Sequence, residues 1–333
     1  MFGKEVLGDM RKKWFALLSI ILLYIFTTNS CSSIARDELT TADDHDITDQ
    51  VELSTNDKIP QGGYTGRIQV FEVYGGSDYH TLANHLAEID LSVKKAVDAN
   101  LQGTMQMVMI NEEIFEGEYD YTESSKLYQD SIKFYKGQTD YHRTYTIGFR
   151  NNKLSSLQYD TPYSDSPIRT QATHDECKRI AENFLIQIVE NIHEYTLYET
   201  KYDAIPEYGG GLYRYTYVRM IGDYLSDEVI KIHVSARGEV EYYQATMLES
   251  LADVTMPSFD ETEMIQAVEQ KLVDIYGSVS KNYTVTYEIN KKIITRVDDG
   301  TLCLRYIIGV DIFNAATYEP YASEYVELLI ELE

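Results

Sequence analysis

The chain has 333 residues, enough for two or three small domains with buried cores, so it is no mini-protein. It carries 54 acidic against 29 basic residues, a formal net charge of −25, and a surface this acidic repels phosphate backbones. Nucleic-acid binding is therefore excluded as a default function. Hydrophobic residues make up 44% of the sequence, which is typical of a chain that packs rather than stays disordered.

The first 30 residues have the composition of an export signal. Basic residues precede the apolar run 14–26, which is shorter than the roughly 20 residues that a membrane-spanning helix needs. A small residue, Ser30, stands directly before Cys31, and this resembles the lipobox of bacterial lipoproteins. The resemblance implies cleavage before Cys31 and a lipid anchor on its thiol, on the extracellular face of the cell membrane. Ordinary signal cleavage and an uncleaved signal anchor are the alternatives, and Met10 is a second candidate start.

Residues 31–63 are rich in Asp, Thr and Ser and poor in large apolar side chains. This composition predicts a flexible acidic tether between the lipid anchor and the folded part of the chain. Residues 43–49 contain four aspartates and one histidine, but they lack the turn glycine and the closing glutamate of a calcium loop. We interpret them as a charge run rather than a metal site.

Two later segments share one layout. From His174 and from Phe259, each opens with an Asp-Glu pair and continues with apolar residues at helical spacing. A tyrosine-rich strand pattern follows each helix pattern, from Tyr195 and from Tyr283, about 88 residues apart. Alternating strands and hairpins fill the rest of both segments. The spacing predicts tandem modules, each an amphipathic helix packed on an antiparallel β-meander.

A third module is predicted upstream, from a helix candidate over 78–99, a strand candidate over 103–115 and a hairpin that turns at Asn151 and Asn152. The chain is therefore expected to be α+β. The predicted organisation is a signal peptide at 1–30, a lipidated tether at 31–63, and α+β modules at 64–165, 166–250 and 251–333.

The stretch 214–243, RYTYVRMIGDYLSDEVIKIHVSARGEVEYY, lies between a predicted helix and the next one. It is similar to PepSY-type repeats, and most similar to the tandem PepSY-like modules of exported proteins of Gram-positive bacteria. The resemblance extends over roughly residues 140–333. It implies a helix packed on an antiparallel sheet, an extracellular setting and, in some members, inhibition of proteases. It implies no catalytic residues.

The histidines, glycines and cysteines of the sequence form no recognisable catalytic or metal motif. His80 and His85 lack the spacing and the glutamate of a zinc-protease helix, and glycines 209–211 lack the residues of a phosphate-binding loop. Cys177 and Cys303 fall on a predicted helix and a predicted strand, where two buried thiols are expected rather than a disulfide. We therefore expect a non-catalytic protein without metal or cofactor. A hydrolase with an unrecognised carboxylate site is an alternative.

Tyr213, Tyr215 and Tyr217 alternate along one predicted strand and therefore share one face. That face either packs into a core or serves as a binding surface, because tyrosine combines a large contact area with a polar tip. The predicted function is binding of a protein, a peptide or a wall component through the sheets. Inhibition of an extracellular protease in trans is the alternative that the PepSY resemblance suggests.

Overall fold

The computed structural model describes the chain from residue 51 onward with several gaps. Cys31 and the predicted signal peptide lie outside the described residues. The described residues are 51–53, 64, 66–75, 92–125, 130–160, 171–205, 210–246, 250–255, 258–277, 282–297 and 300–332.

The described part of the chain is mostly β-structure, with about 60% of its residues in strands and 15% in helices. The prediction of an α+β fold built from tandem helix-and-meander modules is therefore wrong. Two α-helices are described, α1 (His174–Ile188) and α2 (Glu261–Tyr276), with a 3-10 turn at Ile192–Glu194. The strands are β1 Val51–Glu52, β2 Ile68–Gly75, β3 Val93–Ala96, β4 Met105–Ile110, β5 Glu113–Ser125, β6 Asp130–Thr139, β7 Thr144–Arg150, β8 Lys153–Tyr159, β9 Tyr195–Ile205, β10 Gly210–Ile221, β11 Tyr224–Ser235, β12 Val240–Ala245, β13 Tyr283–Arg296, β14 Leu302–Asn314 and β15 Pro320–Glu331.

The fifteen strands of the described part join in one mixed sheet. Its main path runs β2-β15-β14-β13-β11-β12-β8-β7-β6-β5-β3, while β1 pairs with β13, β4 with β5, and β10 with both β9 and β11. All these pairs are antiparallel except β11 with β13, which run parallel where Leu225 meets Ile293. The parallel contact joins strands that the sequence assigned to two modules. Strand edges pair readily with one another, and this is the physical reason why these strands form one large sheet.

β5 shows why most of the chain forms strands. Along its first eight residues, buried and exposed side chains alternate, with Phe115 and Tyr119 facing the core and Glu116 and Glu118 facing solvent. An alternation of buried and exposed residues with a period of two is typical of a strand, whose successive side chains point to opposite faces of the sheet. A helix has a period of about 3.6 residues instead. The helical period is confined, among the described residues, to the two short segments that form α1 and α2.

The predicted repeat is clearest in the helices. Thr173 and Glu176 form a capping box at the start of α1, and the Asp260 carboxylate accepts the N–H of Thr262 at 2.9 Å at the start of α2. Neither described helix is long and apolar enough to cross a membrane. The buried positions repeat at a spacing of 87 residues: Cys177 and Met264, Ala181 and Val268, Leu185 and Leu272, Val189 and Tyr276.

Two large hydrophobic cores and one small cluster, formed by Phe71, Cys303 and Leu329, lie in the described region. The first core gathers side chains from β4 to β12 beneath α1, with Phe115 and Tyr215 fully buried. The second core gathers side chains from β13, β14, β15 and α2 with those of β2, including Val70 and Leu304. β2 lies antiparallel to β15 just as β12 lies antiparallel to β11. An N-terminal strand therefore completes the C-terminal core.

Two upstream elements differ from their predictions. Within the predicted helix at 78–99, residues 93–96 form β3, which pairs with the end of β5, and most of the rest lies outside the described residues. The predicted strand at 103–115 is interrupted by a turn at Asn111 and Glu112, both with positive φ, which separates β4 from β5. Asparagine tolerates this left-handed conformation and starts hairpin turns.

Candidate functional site

The structure places Tyr213, Tyr215 and Tyr217 on the face of β10 that packs beneath α1. Tyr215 is fully buried and Tyr217 is 6% exposed, and the Tyr215 hydroxyl donates to the carbonyl oxygen of His174 at 3.2 Å. Burial raises the pKa of both hydroxyls, that of Tyr217 to about 12, so neither ionises at neutral pH. Tyr215 and Tyr217 therefore contribute to core packing, and of the three tyrosines only Tyr213 keeps partly exposed surface.

A small aromatic patch stays accessible where β9 and β10 meet the start of α1. The Tyr202 ring is 51% exposed, its centroid lies 4.7 Å from that of Tyr213, and the His174 ring lies 5.4 Å from Tyr213. Gly211 leaves room for this arrangement, because a Cβ there would come within 2.5 Å of the Tyr202 ring. This patch is the accessible remainder of the predicted tyrosine face.

The buried charges around Glu228 form a structural junction. Glu228 accepts hydrogen bonds from the Tyr195 hydroxyl at 2.9 Å and from the Leu251 N–H at 2.7 Å, and it lies 2.8 Å from Nε of Arg219. Arg219 also pairs with Glu194 at 2.6 Å. These contacts join β9, β10 and β11 to the segment that leads into α2. Both carboxylate oxygens of Glu228 are satisfied, so this residue holds elements together and is not poised as a catalytic base.

A shallow cleft opens at the C-terminal end of α1, between Lys153, Glu190 and Arg219. Lys153 pairs with Glu190 at 3.3 Å, and Arg219 forms ion pairs with Glu194 and Glu228. Both cations that line the cleft therefore already pair with carboxylates, and neither is left to bind an anionic substrate. Within the described ranges, no three side chains of His, Cys, Asp or Glu come together in a way that could hold a metal ion. Cys177 and Cys303 are buried and no disulfide joins them, which confirms the expectation of two thiols.

A row of exposed methionines lies on the outer face of the β4–β5 hairpin. Met105, Met107 and Met109 are 57%, 58% and 64% exposed, and Ile114, opposite Met109 on β5, is 44% exposed. Single exposed apolar residues are ordinary, but a contiguous row is typical of surfaces that contact another molecule. Thioether side chains are flexible and polarisable, and they suit contacts with partners of varied shape. We call Met105, Met107 and Met109 the Met column.

The Met column also directs its backbone polar groups to the open side of β4. The Tyr119 N–H donates to the Thr104 oxygen at 2.9 Å, so these two residues form a hydrogen-bonded pair at the end of the β4–β5 ladder. Such pairs alternate in an antiparallel ladder, and the Met column therefore falls at positions whose N–H and C=O groups point away from β5. Within the part of the chain that the structure describes, β4 pairs only with β5. Among the described strands, β4 is therefore an edge strand with outward donors and acceptors.

The hairpin that carries the Met column is fixed to the first core. In its turn, the Asn111 side chain donates to the Val240 oxygen at 3.1 Å and accepts the Val240 N–H at 2.9 Å. Ile110 and Phe115, which flank the turn, are buried. The Met column therefore lies on a strand whose other face is packed, and a rigid strand loses little conformational entropy on binding.

Acidic residues lie beside the Met column on the same face of the hairpin. Two of them, Glu118 and Glu116, stand directly opposite Met105 and Met107 in the β4–β5 register. All are exposed, and none forms an ion pair with another described residue. The acidic row of β5 consists of Glu116, Glu118 and Asp120.

Sequence reasoning missed this surface. The available signal was the segment 105–110, MQMVMI, in which methionine occupies every second position. The alternate positions include Val108 and Ile110, so both faces of the strand are apolar and the pattern does not show which of them is buried. The prediction of one long strand also hid the turn at Asn111, and without that turn β4 has no assigned place at the edge of the sheet.

One known protein family is similar to the segment that forms the first core. Residues 99–246 match the family model described as the YcdB, YcdC repeated domain. No curated protein matches the chain, and no solved structure matches it. The matched segment begins shortly before β4 and ends directly after β12, so it contains α1 and all strands of the first core. Over residues 99–246 the chain is thus similar to the YcdB, YcdC repeated domain.

Proposed function

We propose that this protein is a non-catalytic, surface-anchored binding protein that adds an extended polypeptide to the open edge of β4. One observation carries the proposal: the same three residues expose their methionine side chains and point their backbone N–H and C=O groups outward. In strand addition, main-chain hydrogen bonds supply affinity and side-chain contacts supply selectivity. The Met column provides the side-chain contacts without a deep pocket, because thioethers adapt to the side chains that they meet.

Lipidation at Cys31 belongs to the same proposal. It is supported by the apolar run 14–26 after basic residues and by Ser30 directly before the cysteine. Replacing Cys31 by Ala should release the protein from the membrane fraction or leave an unprocessed precursor. Unchanged membrane fractionation would contradict the anchor without affecting strand addition. The PepSY resemblance of 214–243 adds extracellular proteins, proteases among them, to the partners worth testing.

The strand-addition proposal is tested with the full chain in detergent micelles and a library of short random peptides. Peptides selected for binding should slow hydrogen exchange at the amides of the Met column. The variant Met107→Pro should weaken these peptides by about tenfold or more, because it removes an outward donor and blocks the approach of a strand. It should leave the fold intact, since the N–H of Met107 is not part of the β4–β5 ladder.

Two further variants show which property of Met107 matters. Met107→Gln keeps the N–H and removes only the apolar side chain, and its effect should be smaller than that of proline. Ile186→Gln changes another exposed apolar residue, 65% exposed on α1, and should bind the peptides like the unchanged protein. Equal binding by Met107→Pro, with unchanged exchange at the Met column, would show that strand addition at β4 does not occur.

A further inference from the structure

We infer that the strand accepted by β4 alternates basic and apolar residues, with its basic side chains on the face of the Met column. This inference rests on the proposed function and specifies the chemistry of the partner. It is carried by the acidic row of β5, which lies one strand inward from the Met column, and by the apolar residues on the opposite face of β4.

The spacing of the sheet decides where the side chains of an added strand lie. Neighbouring strands are about 4.8 Å apart, so a strand added to β4 lies about 10 Å from the acidic row, with the Met column between them. Its residues opposite Met105 and Met107 place their side chains on the same exposed face. Lysine and arginine can lay their aliphatic stems over the thioethers and carry their charges toward Glu116 and Glu118.

The negative charge of the acidic row disfavours acidic strands and gives basic strands an advantage over neutral ones. Glu116 and Glu118 form no ion pair with another described residue, so a cation brought near them gains attraction without displacing any described ion-pair partner. An acidic strand would meet like charges at the hairpin and a net charge of −25 over the whole chain. A neutral strand would make the same main-chain bonds but would gain nothing from the acidic row.

The opposite face of β4 accounts for the alternation. Val108 is half-buried and packs against the first core, and Ile110 is buried in it. In an added strand, the residues between the basic positions point to this side and lie next to Val108. Apolar residues there extend the first core by one row and remove more apolar surface from water. Lysine or arginine alternating with valine, isoleucine or leucine meets both faces.

The test measures binding of three synthetic peptides to the full chain in micelles of an uncharged detergent. Valine alternates with lysine in the first peptide, with serine in the second and with glutamate in the third. The lysine peptide should bind about tenfold more tightly than the serine peptide, and added salt should reduce this preference, because both charged partners are exposed to solvent. The glutamate peptide should bind most weakly. Hydrogen exchange at the Met column reports whether each peptide binds as a strand.

The double variant Glu116→Gln with Glu118→Gln isolates the acidic row. It should weaken the lysine peptide by about three- to tenfold and leave the serine peptide unchanged. The control is Asp223→Asn with Asp274→Asn, which removes the same charge from exposed positions on other elements. Unchanged hydrogen exchange in β7 and β8 shows that each variant is folded.

The outcomes separate this inference from the proposed function. Equal affinities for the lysine and serine peptides, with protection of the Met column by both, would overturn the basic partner and leave strand addition standing. Failure of every peptide to protect the Met column would overturn both. Binding of phosphatidylglycerol vesicles that Met107→Gln abolishes, without peptide binding, would show a lipid contact and also overturn both.

Discussion

The two regions of the sheet that follow a helix, 174–245 and 261–331, carry the same Arg-Tyr pair on their second strands but place the arginine in different surroundings. In both, the tyrosine is fully buried in the core under the helix. Arg214 of the first region has a side chain that is 46% exposed, whereas Arg305 of the second is 1% exposed and lies 3.6 Å from Glu327. The local sequence thus places the tyrosine in the core under the helix in both regions. The exposure of the arginine, on the opposite face of the sheet, depends on what packs against that face.

The two regions also differ in how their sheets are completed. In the first, β11 turns directly into β12, so the fourth strand comes from the next residues of the chain. In the second, β15 is followed by no such strand within the described residues, and β2 (Ile68–Gly75), which lies far earlier in the chain, takes that place. The second core therefore depends on a distant segment, while the strands of the first core all come from one continuous stretch. The family match covers this continuous stretch.

Removal of β2 should have the largest effect and should fall on the second core. Replacing residues 68–75 by a glycine-serine linker of the same length removes Val70 and Val73 from the second core. It also removes Phe71, which packs with Cys303 and Leu329 in a separate small cluster. The combined loss should cost more than about 5 kcal/mol of stability in the part of the sheet that contains the second core. Hydrogen exchange of the full chain should show β14 and β15 unprotected while β7 and β8 stay protected. Equal loss of protection in both sets would mean that the two cores unfold as one unit.

Truncating the two arginines should sharpen the comparison of the outer faces. Arg305→Ala leaves the buried Glu327 carboxylate without its cation and should cost about 3–5 kcal/mol, measured by urea unfolding. Arg214→Ala breaks a partly exposed pair with Asp203 and should cost about 0–1 kcal/mol.

The charge and the packing of Arg305 contribute separately to the stability of the protein, and a double variant distinguishes the two contributions. Arg305→Met combined with Glu327→Gln keeps most of the volume and removes both charges, so it should recover much of the loss seen with alanine. Similar costs for the two alanine variants would contradict the difference in burial on which this comparison depends.

Local features of the fold could be predicted from sequence. The helical period predicted α1 and α2, and the spacing of their buried residues follows from the two similar segments. Asn151 and Asn152 predicted a hairpin turn, which the structure confirms with φ of 49° and 64°. In each case the signal lies within a few residues of the element that it specifies.

Pairing between distant strands could not be predicted in this way. Nothing in residues 68–75, which form β2, names β15 as the neighbouring strand, because an antiparallel ladder forms between any two complementary edges. The parallel contact of Leu225 with Ile293 is equally non-local. The candidate site shares this limit: the Met column is visible as an alternation, but its exposure depends on β4 being the edge strand.

Two matched leucines test whether the helices contribute equally to their cores. Leu185 of α1 and Leu272 of α2 are both fully buried and lie 87 residues apart. Replacing either by alanine should cost about 2–5 kcal/mol, from lost burial and from the cavity left behind. If the cores unfold separately, urea unfolding should show two transitions, each shifted by one of the variants. A single transition shifted equally by both would indicate one cooperative unit.

The smallest expected effect concerns Asp227, a buried carboxylate on β11 near the contact between the two regions. Burial raises its pKa to about 6, and the nearby Arg305 and a hydrogen bond from the Thr295 hydroxyl only partly oppose this. The unfolded chain releases this proton near pH 4, so the contribution of Asp227 to stability is greatest below pH 4 and is lost as the pH rises to about 6. The loss from this group alone amounts to about 3 kcal/mol at most.

Asp227→Asn keeps an acceptor for Thr295 but does not titrate. The free energy of unfolding of the variant, minus that of the unchanged protein, should therefore increase by up to about 3 kcal/mol between pH 4 and pH 7. Taking this difference at each pH cancels the titration of all other groups that the substitution leaves alone. Asp120→Asn, at an exposed position on β5, controls for the loss of one carboxylate. A difference that stays constant from pH 4 to pH 7 would mean that Asp227 is ionised in the folded protein and that Arg305 outweighs its burial.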